Sequence, residues 1–256
     1  MKPIQLKAEI ISNKQVGPNF WRCEISAAKI AKGALAGQFL NIKVNDTCVP
    51  LLRRPLSIHH ADDRKLAVLY EALGPGTRAL SLKKQGEFLD LIGPLGKGFK
   101  IPPAQAGGKN VLVAGGLGVA PLLFLSKKLN PAHTSVIIGA RTKNHLLCAG
   151  EFKKRGFQTH ITTDDGSAGL KGQVTDLLAK MISKINRLNI YACGPKKMLQ
   201  AVAEISVKNK FNAQLSLETH MACGIGACLG CVVNTTKGFK RVCSDGPVFQ
   251  ADELIW

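Results

Sequence analysis

The sequence predicts an α+β multidomain chain in three parts: an N-terminal antiparallel β-barrel over residues 1–103, a doubly wound α/β domain over 104–217, and a small cysteine-rich segment over 218–256. Three observations carry this expectation. Short apolar or alternating segments run through residues 2–91 without helical spacing, the pattern of a small barrel. From Val111 onward, continuous apolar strands alternate with helical stretches, the pattern of a parallel sheet with crossover helices. Four of the eight cysteines then fall within 21 residues near the C-terminus.

Composition narrows the function classes. A chain of 256 residues holds two domains and a small appendage, and no apolar run approaches the roughly 18 residues of a membrane span. The N-terminal MKPIQLKAEI lacks the uninterrupted apolar core of a secretory signal. Clustered thiols favour a reducing compartment, so a cytoplasmic location without stable membrane insertion is expected. The formal charge of +18 points first to nucleic acid, but the 35 basic residues are scattered and aromatics make up only 5% of the chain. Without a basic stripe or an aromatic platform, no nucleic-acid partner is expected, and a basic surface serves equally to capture anionic cofactors or an acidic partner.

In the barrel region the segments Leu6-Ala8-Ile10, Trp21-Cys23-Ile25, residues 39–44 and residues 66–70 are read as strands, with Gly37-Gln38-Phe39 as a turn into the third. Between them, Arg53 and Arg54 precede the extended piece Pro55-Leu56-Ser57. An arginine there can grip a pyrophosphate with two N–H groups, or simply charge a turn. The stretch Gly74-Pro75-Gly76-Thr77 reads as a glycine turn into a short helix with free amides for a phosphate, or as a plain hairpin connection. A polar, glycine-rich piece at residues 105–109 marks the domain boundary.

Beyond it, Val111-Leu112-Val113-Ala114 runs into Gly115-Gly116-Leu117-Gly118 and an apolar helix, and this order forms a nucleotide site. The G-x-G-x-x-G fingerprint fails because Pro121 stands at its last glycine, so a different doubly wound module is implied. Further strands are expected at 135–138, 158–163, 188–193 and 212–217, with helices at 144–154, 173–185 and 195–207. Ligands of such a sheet sit at the carboxyl ends of its strands, where Gly115, Arg141, Thr162 and Cys193-Gly194-Pro195 all fall. Gly194-Pro195 reads as a strand-to-helix turn with proline opening the helix, or as a purely structural turn. No acidic residue follows the glycines by about twenty positions, and Arg141 leaves room for a 2′-phosphate, so the residues alone leave NAD and NADP open.

Cys223, Cys228 and Cys231 follow the C-x4-C-x2-C spacing of a plant-type [2Fe-2S] site, and Cys243 supplies a fourth thiolate twelve residues later. Gly224, Gly226 and Gly230 suit a tight loop with amides free to point at sulfur. Zinc is the alternative, although its sites more often use paired C-x2-C hooks. Cys23, Cys48 and Cys148 are expected to be buried structural thiols.

Taken together, Arg54-Pro55-Leu56-Ser57, Gly74 to Thr77, Gly115 to Leu122 and Cys193 to Pro195 resemble the ferredoxin-NADP reductase superfamily in order and spacing. The tail from Leu215 through Cys231, with Cys243 to Phe249, is similar to one branch in particular, the electron-transfer subunits of NAD-dependent dihydroorotate dehydrogenases. The resemblance covers nearly the whole chain, and its most specific part is the cysteine block.

What the resemblance implies is a route for electrons. FAD, one per chain, would lie between barrel and sheet, held by Arg54, Pro55, Leu56, Ser57 and Tyr70, with Gly74, Gly76 and Thr77 at its pyrophosphate. Leu56 stands where many superfamily members carry tyrosine. NAD would enter as an exchangeable substrate at Gly115, Gly116, Gly118, Cys193, Gly194 and Pro195. One [2Fe-2S] cluster would sit on Cys223, Cys228, Cys231 and Cys243, at a partner interface. A separate FMN-containing catalytic subunit would oxidise dihydroorotate, in a heterotetramer with two copies of each subunit, within pyrimidine biosynthesis. No catalytic acid or base is nominated in this half of the reaction. An alternative of similar build is the small subunit of a sulfide dehydrogenase or of a ferredoxin-dependent NADP reductase. Some of those are expected to carry aspartate where Cys223 stands.

Overall fold

The computed structural model describes residues 2–103, 107–182 and 185–256. Strands β1 (Ile4–Gly17), β2 (Phe20–Ser26), β3 (Phe39–Lys43), β4 (Arg54–Ala61), β5 (Lys65–Glu71) and β6 (Phe88–Leu95) close into a barrel in the order β1-β2-β5-β4-β3-β6. All six pairings are antiparallel, so the barrel leaves no open edge. Two short helices, α1 (Ala28–Ala31) and α2 (Pro75–Ser81), occupy its connections. The glycine turn at residues 74–77 therefore does open a helix. Residues 104–106 of the expected linker lie outside the described residues.

The second domain is a sheet built on β7 (Lys109–Gly115), β8 (Thr134–Ala140), β9 (Gln158–Thr163), β10 (Leu170–Lys171), β11 (Leu188–Cys193) and β12 (Asn212–Ser216), all parallel. Helices α3 (Val119–Ser126), α4 (Ala149–Lys154), α5 (Val174–Ile182) and α6 (Lys196–Lys208) pack on it. The helix expected over 144–154 is shorter than its pattern. Residues 143–145 form one 3-10 turn capped by Thr142, and Cys148, left-handed at φ 60°, interrupts the path before α4 begins. The last residues of the helix expected over 173–185 fall partly at 183–184, outside the described residues.

Helix α3 joins the two domains. Every one of its eight residues is buried, as befits a helix apolar on all sides. Its Phe124 packs into the barrel core, while Phe20 and Leu69 of the barrel pack into the sheet core with Leu122 and Leu123. At its end, the Lys127 ammonium donates to the Ala61 carbonyl of β4 at 2.9 Å.

The cysteine segment is no free appendage. After the loop comes a hairpin of β13 (Val232–Thr235) and β14 (Gly238–Arg241), and then β15 (Val248–Gln250) pairs antiparallel with β12 as the seventh strand of the sheet. Cys231, Val242, Cys243 and Phe249 share one core with Leu215 of the sheet and with Phe39 and Leu95 of the barrel. Trp256 is half-buried against that same core. Among the described residues, no helix is long and apolar enough to cross a membrane.

Candidate functional site

Two clefts meet along the domain junction. The larger, of about 630 Å³, lies at the carboxyl ends of β7, β8, β9 and β11, and Gly115, Gly116, Gly118, Gly194 and Pro195 line it. The smaller, of about 230 Å³, runs along the barrel past Pro55, Leu56, Ser57, Tyr70 and Thr77. Glu71, Leu73, Leu117 and Glu218 border both, so the two are continuous. This is where an open α/β sheet binds its ligands.

The glycines of the first turn have different tasks. A Cβ on Gly118 would lie 2.0 Å from the Cys193 carbonyl oxygen, so this glycine exists to let β7 and β11 end side by side. Gly116, at φ 54°, has nothing within 4 Å of its would-be Cβ and faces open space. It alone fits the role of backbone bared to a ligand. Cys193 is 1% exposed and lies behind this turn, away from the cleft surface. Burial, and then the nearby Glu218 charge, push its thiol well above the ordinary range.

In the barrel cleft, Arg54 folds over Gly76, where a Cβ would meet its Nε at 2.0 Å, and its Nη1 donates to the Leu52 carbonyl at 2.7 Å. Arg53 is occupied elsewhere, in a 2.7 Å ion pair with Asp90 of β6. The Thr77 hydroxyl accepts from the Leu73 and Gly74 amides at 3.0 and 3.2 Å, closing the start of α2, so it is committed to its own turn. Tyr70 borders the cleft, yet it is 1% exposed and its hydroxyl donates to Asn13 Oδ1 at 3.0 Å. Its role is chiefly the barrel core.

Both clefts hold polar groups that a ligand would satisfy. The hydroxyls of Thr162 in the larger and Thr219 in the smaller are buried without a hydrogen-bond partner. Such groups cost about 1–3 kcal/mol each unless something meets them. Open backbone at Gly116 with an orphaned Thr162 fits a dinucleotide, and the long barrel cleft with Ser57 and Thr219 fits a flavin. Glu218, where the clefts join, went unassigned from sequence, since a single acid after a strand gives no signal. It is exposed to solvent through the cleft mouth but surrounded by protein, and that desolvation raises its carboxyl pKa.

The four cysteines gather two and two. The Cys228 amide donates to Cys223 Sγ at 3.4 Å, and the Cys243 amide to Cys231 Sγ at 3.4 Å. No three of these sulfurs lie mutually within 4.8 Å among the described residues. A single tetrahedral zinc would need all four at one point, whereas a binuclear cluster needs two thiolates at each of two irons. The donor set therefore fits [2Fe-2S]. Cys231 and Cys243 are buried, Cys223 is half-buried and Cys228 is exposed. Burial opposes ionisation of Cys223, but the Ile225, Cys228 and Ala227 amides and the Cys228 thiol bring its pKa down to about 6. Burial and then Cys231 push Cys243 up to about 12.

Two residues that the sequence did not single out hold this loop. The Arg241 Nη1 donates to the Gly226 carbonyl at 2.9 Å while its Nε pairs with Asp245 at 3.1 Å. Asn41, buried on β3, donates to the Cys223 carbonyl at 2.9 Å. Of the three remaining candidates for buried thiols, Cys23 sits in the barrel core, Cys148 is half-buried, and Cys48 is exposed because it lies in the loop between β3 and β4.

Comparison with known proteins agrees with this geometry. Residues 218–255 match the iron-sulfur cluster binding domain of dihydroorotate dehydrogenase B, and residues 112–204 match an oxidoreductase NAD-binding domain. The chain is 38% identical to the electron transfer subunit of dihydroorotate dehydrogenase B (NAD(+)) from Desulforamulus reducens, covering 97% of each. It is 40% identical to that of Caldanaerobacter subterraneus subsp. tengcongensis, covering 98% of this chain and 99% of the relative. Among solved structures, an NADH-dependent reduced ferredoxin-NADP oxidoreductase is similar at a TM-score of 0.86 and 30% identity, over 97% of this chain and 90% of the other. A ferredoxin NADP+ reductase from Neisseria gonorrhoeae shares the fold alone, at 17% identity and a TM-score of 0.69, over 83% of this chain and 99% of that one. With paired thiolates, two joined clefts and full-length relatives in agreement, the chain belongs to the family of electron transfer subunits of NAD(+)-dependent dihydroorotate dehydrogenase B, and is an oxidoreductase subunit.

Proposed function

We propose that this chain draws electrons from an FMN-containing catalytic subunit that oxidises dihydroorotate, and delivers them to NAD+ in the larger cleft. The observation that carries the partner's place on this route is the asymmetry of the four thiols. Cys231 and Cys243 are sealed in the chain's own core, while Cys228 faces outward beside the exposed apolar side chains of Ile225 and Leu229. That face is the docking surface for the catalytic subunit in this reading, and the complex is a heterotetramer. The functional division follows the sequence: residues 1–103 hold FAD, 104–217 hold NAD, and 218–256 hold the cluster and lend Thr219 to the flavin cleft.

When bound, the cluster moves single electrons, NAD+ accepts two, and FAD exchanges with both. The chain's residues position these groups. Cys223 with Cys228 and Cys231 with Cys243 supply two thiolates to each iron. Gly116 and Thr162 meet the dinucleotide, with Gly115, Gly118, Gly194 and Pro195 shaping the turn around it. Pro55, Leu56, Ser57 and Thr219 line the flavin, and Arg54 with Gly74, Gly76 and Thr77 forms its phosphate end. The reducing environment that free thiols require supports a cytoplasmic place.

The test is anaerobic purification from cells that also express a candidate catalytic subunit. About two irons, two sulfides and one FAD per chain are expected, with NAD+ reduction by dihydroorotate only when both subunits are present. Zinc without flavin would defeat the reading. The 30% identity to a ferredoxin-linked oxidoreductase supports a second reading, and turnover with reduced ferredoxin and NADP+ instead of dihydroorotate would select it.

A further inference from the structure

Away from the clefts and the cysteine loop, one group of ligating side chains converges where the barrel meets the nucleotide domain. His59 comes from β4, Cys148 stands immediately before α4 and Glu151 lies in its first turn. One donor atom of each lies within 4.8 Å of the other two. His59 is 3% exposed, and its Nδ1 is buried with no hydrogen-bond partner. Cys148 is half-buried and Glu151 is exposed, which gives the group a path to solvent.

We propose that His59, Cys148 and Glu151 form a binding site for a divalent transition-metal ion of the zinc class. The site rests on none of the residues assigned to FAD, NAD or the iron-sulfur cluster. One imidazole, one thiolate and one carboxylate make a donor set that suits zinc, whereas calcium and magnesium take oxygen alone. Zinc bonds of roughly 2.0–2.3 Å place tetrahedral ligands about 3.3–3.8 Å apart. The donors, all within 4.8 Å of one another, need to close by at most about 1–1.5 Å, with the exposed Glu151 side chain free to change rotamer and Cys148 to turn about its own χ1.

Without metal, burial and then the neighbouring Glu151 charge keep the Cys148 thiol protonated. Binding exchanges that thiol proton for the metal: the S–H bond breaks, an S–Zn bond forms and one proton leaves to solvent. Imidazole and carboxylate contribute lone pairs without losing a proton. Dication, thiolate and carboxylate then sum to zero charge. Of the neighbouring cations, Arg22 pairs with Glu24 at 2.7 Å while its Nε is buried without a partner, and Arg155 donates to the Leu123 carbonyl at 2.8 Å and the Ser126 hydroxyl at 2.9 Å. Because the ligands come from both domains, the ion fastens β4 to α4, and a fourth position is left for water.

The test uses holoprotein purified anaerobically with its iron and flavin, dialysed against chelator-buffered zinc and assayed for all three. About one zinc per chain beyond the iron is expected, with one sulfur among nitrogen and oxygen neighbours in zinc-edge X-ray absorption. Cys148→Ala and Glu151→Gln should each weaken zinc by about 100-fold or more, since loss of even an outer partner costs 10–100-fold. Iron and flavin contents should not change. Glu151 lies on the surface, so E151Q separates ligand loss from misfolding. No zinc at micromolar free ion, an all-sulfur shell gained at the expense of iron, or binding unaffected by both substitutions would each overturn the site.

Discussion

The Asn41 side-chain amide donates to the Cys223 backbone carbonyl over 2.9 Å, so a buried barrel residue holds the first cysteine of a loop 182 positions later. The contact is tight, for a Cβ on Gly224 would fall 2.4 Å from Asn41 Nδ2. Asn41→Leu keeps the volume and removes the donor, leaving one loop carbonyl unpaired at a cost of about 1–2 kcal/mol. Chelator extraction of iron should be faster in the variant, with flavin content unchanged. Equal extraction rates would show that Arg241 alone suffices to hold the loop.

The glycines of the nucleotide turn should separate by mechanism. Gly118→Ala forces a Cβ against the Cys193 carbonyl at 2.0 Å, and backbone has to move. A loss of about 3 kcal/mol or more is expected in urea unfolding. Gly116→Ala meets no neighbour and carries only the left-handed backbone cost of about 1–2 kcal/mol. Its main effect should appear in NADH affinity by titration, because the added methyl stands in the open cleft.

The barrel, the parallel sheet and the gathering of four cysteines in one C-terminal loop region were legible because each rests on local periodicity or spacing. Residues whose meaning depends on distant partners were not. Arg53 and Arg54 look equivalent in sequence, yet one meets Asp90 across the barrel and the other folds over Gly76. Gly115-Gly116-Leu117-Gly118 reads as one phosphate loop, but Gly118 answers to Cys193, brought beside it by a crossover of some 75 residues. The cysteine segment reads in sequence as a small appendage, yet Cys231 and Cys243 are buried, because β15 joins a sheet whose other strands precede the loop.

The Arg53–Asp90 pair should give a pH signature. Burial alone would raise the Asp90 carboxyl, but hydrogen bonds from Arg53 and Gln5 outweigh it and hold the pKa below the usual range. A depressed carboxylate stabilises the fold above its unfolded value, about 3.9, and that contribution is lost as pH falls through the lower folded value. Arg53→Ala should therefore cost about 1–3 kcal/mol near pH 7. The gap between variant and parent urea midpoints should narrow below about pH 4. A gap independent of pH would assign the loss to packing of the arginine stem.

Glu218 has the opposite sign. Its carboxyl pKa is raised by desolvation where the two clefts meet. Such a group stabilises the fold below its unfolded value, about 4.3, and that contribution disappears as pH rises through the raised folded value. At neutral pH the ionised form is therefore a small burden, under about 1 kcal/mol because the cleft mouth admits water. Glu218→Gln removes the charge and keeps the shape. The variant should melt slightly higher than the parent at pH 7–8, and the two should coincide below about pH 4. A lower melting temperature at neutral pH would mean that the carboxylate is paired in the folded chain, and that its place between the clefts is structural.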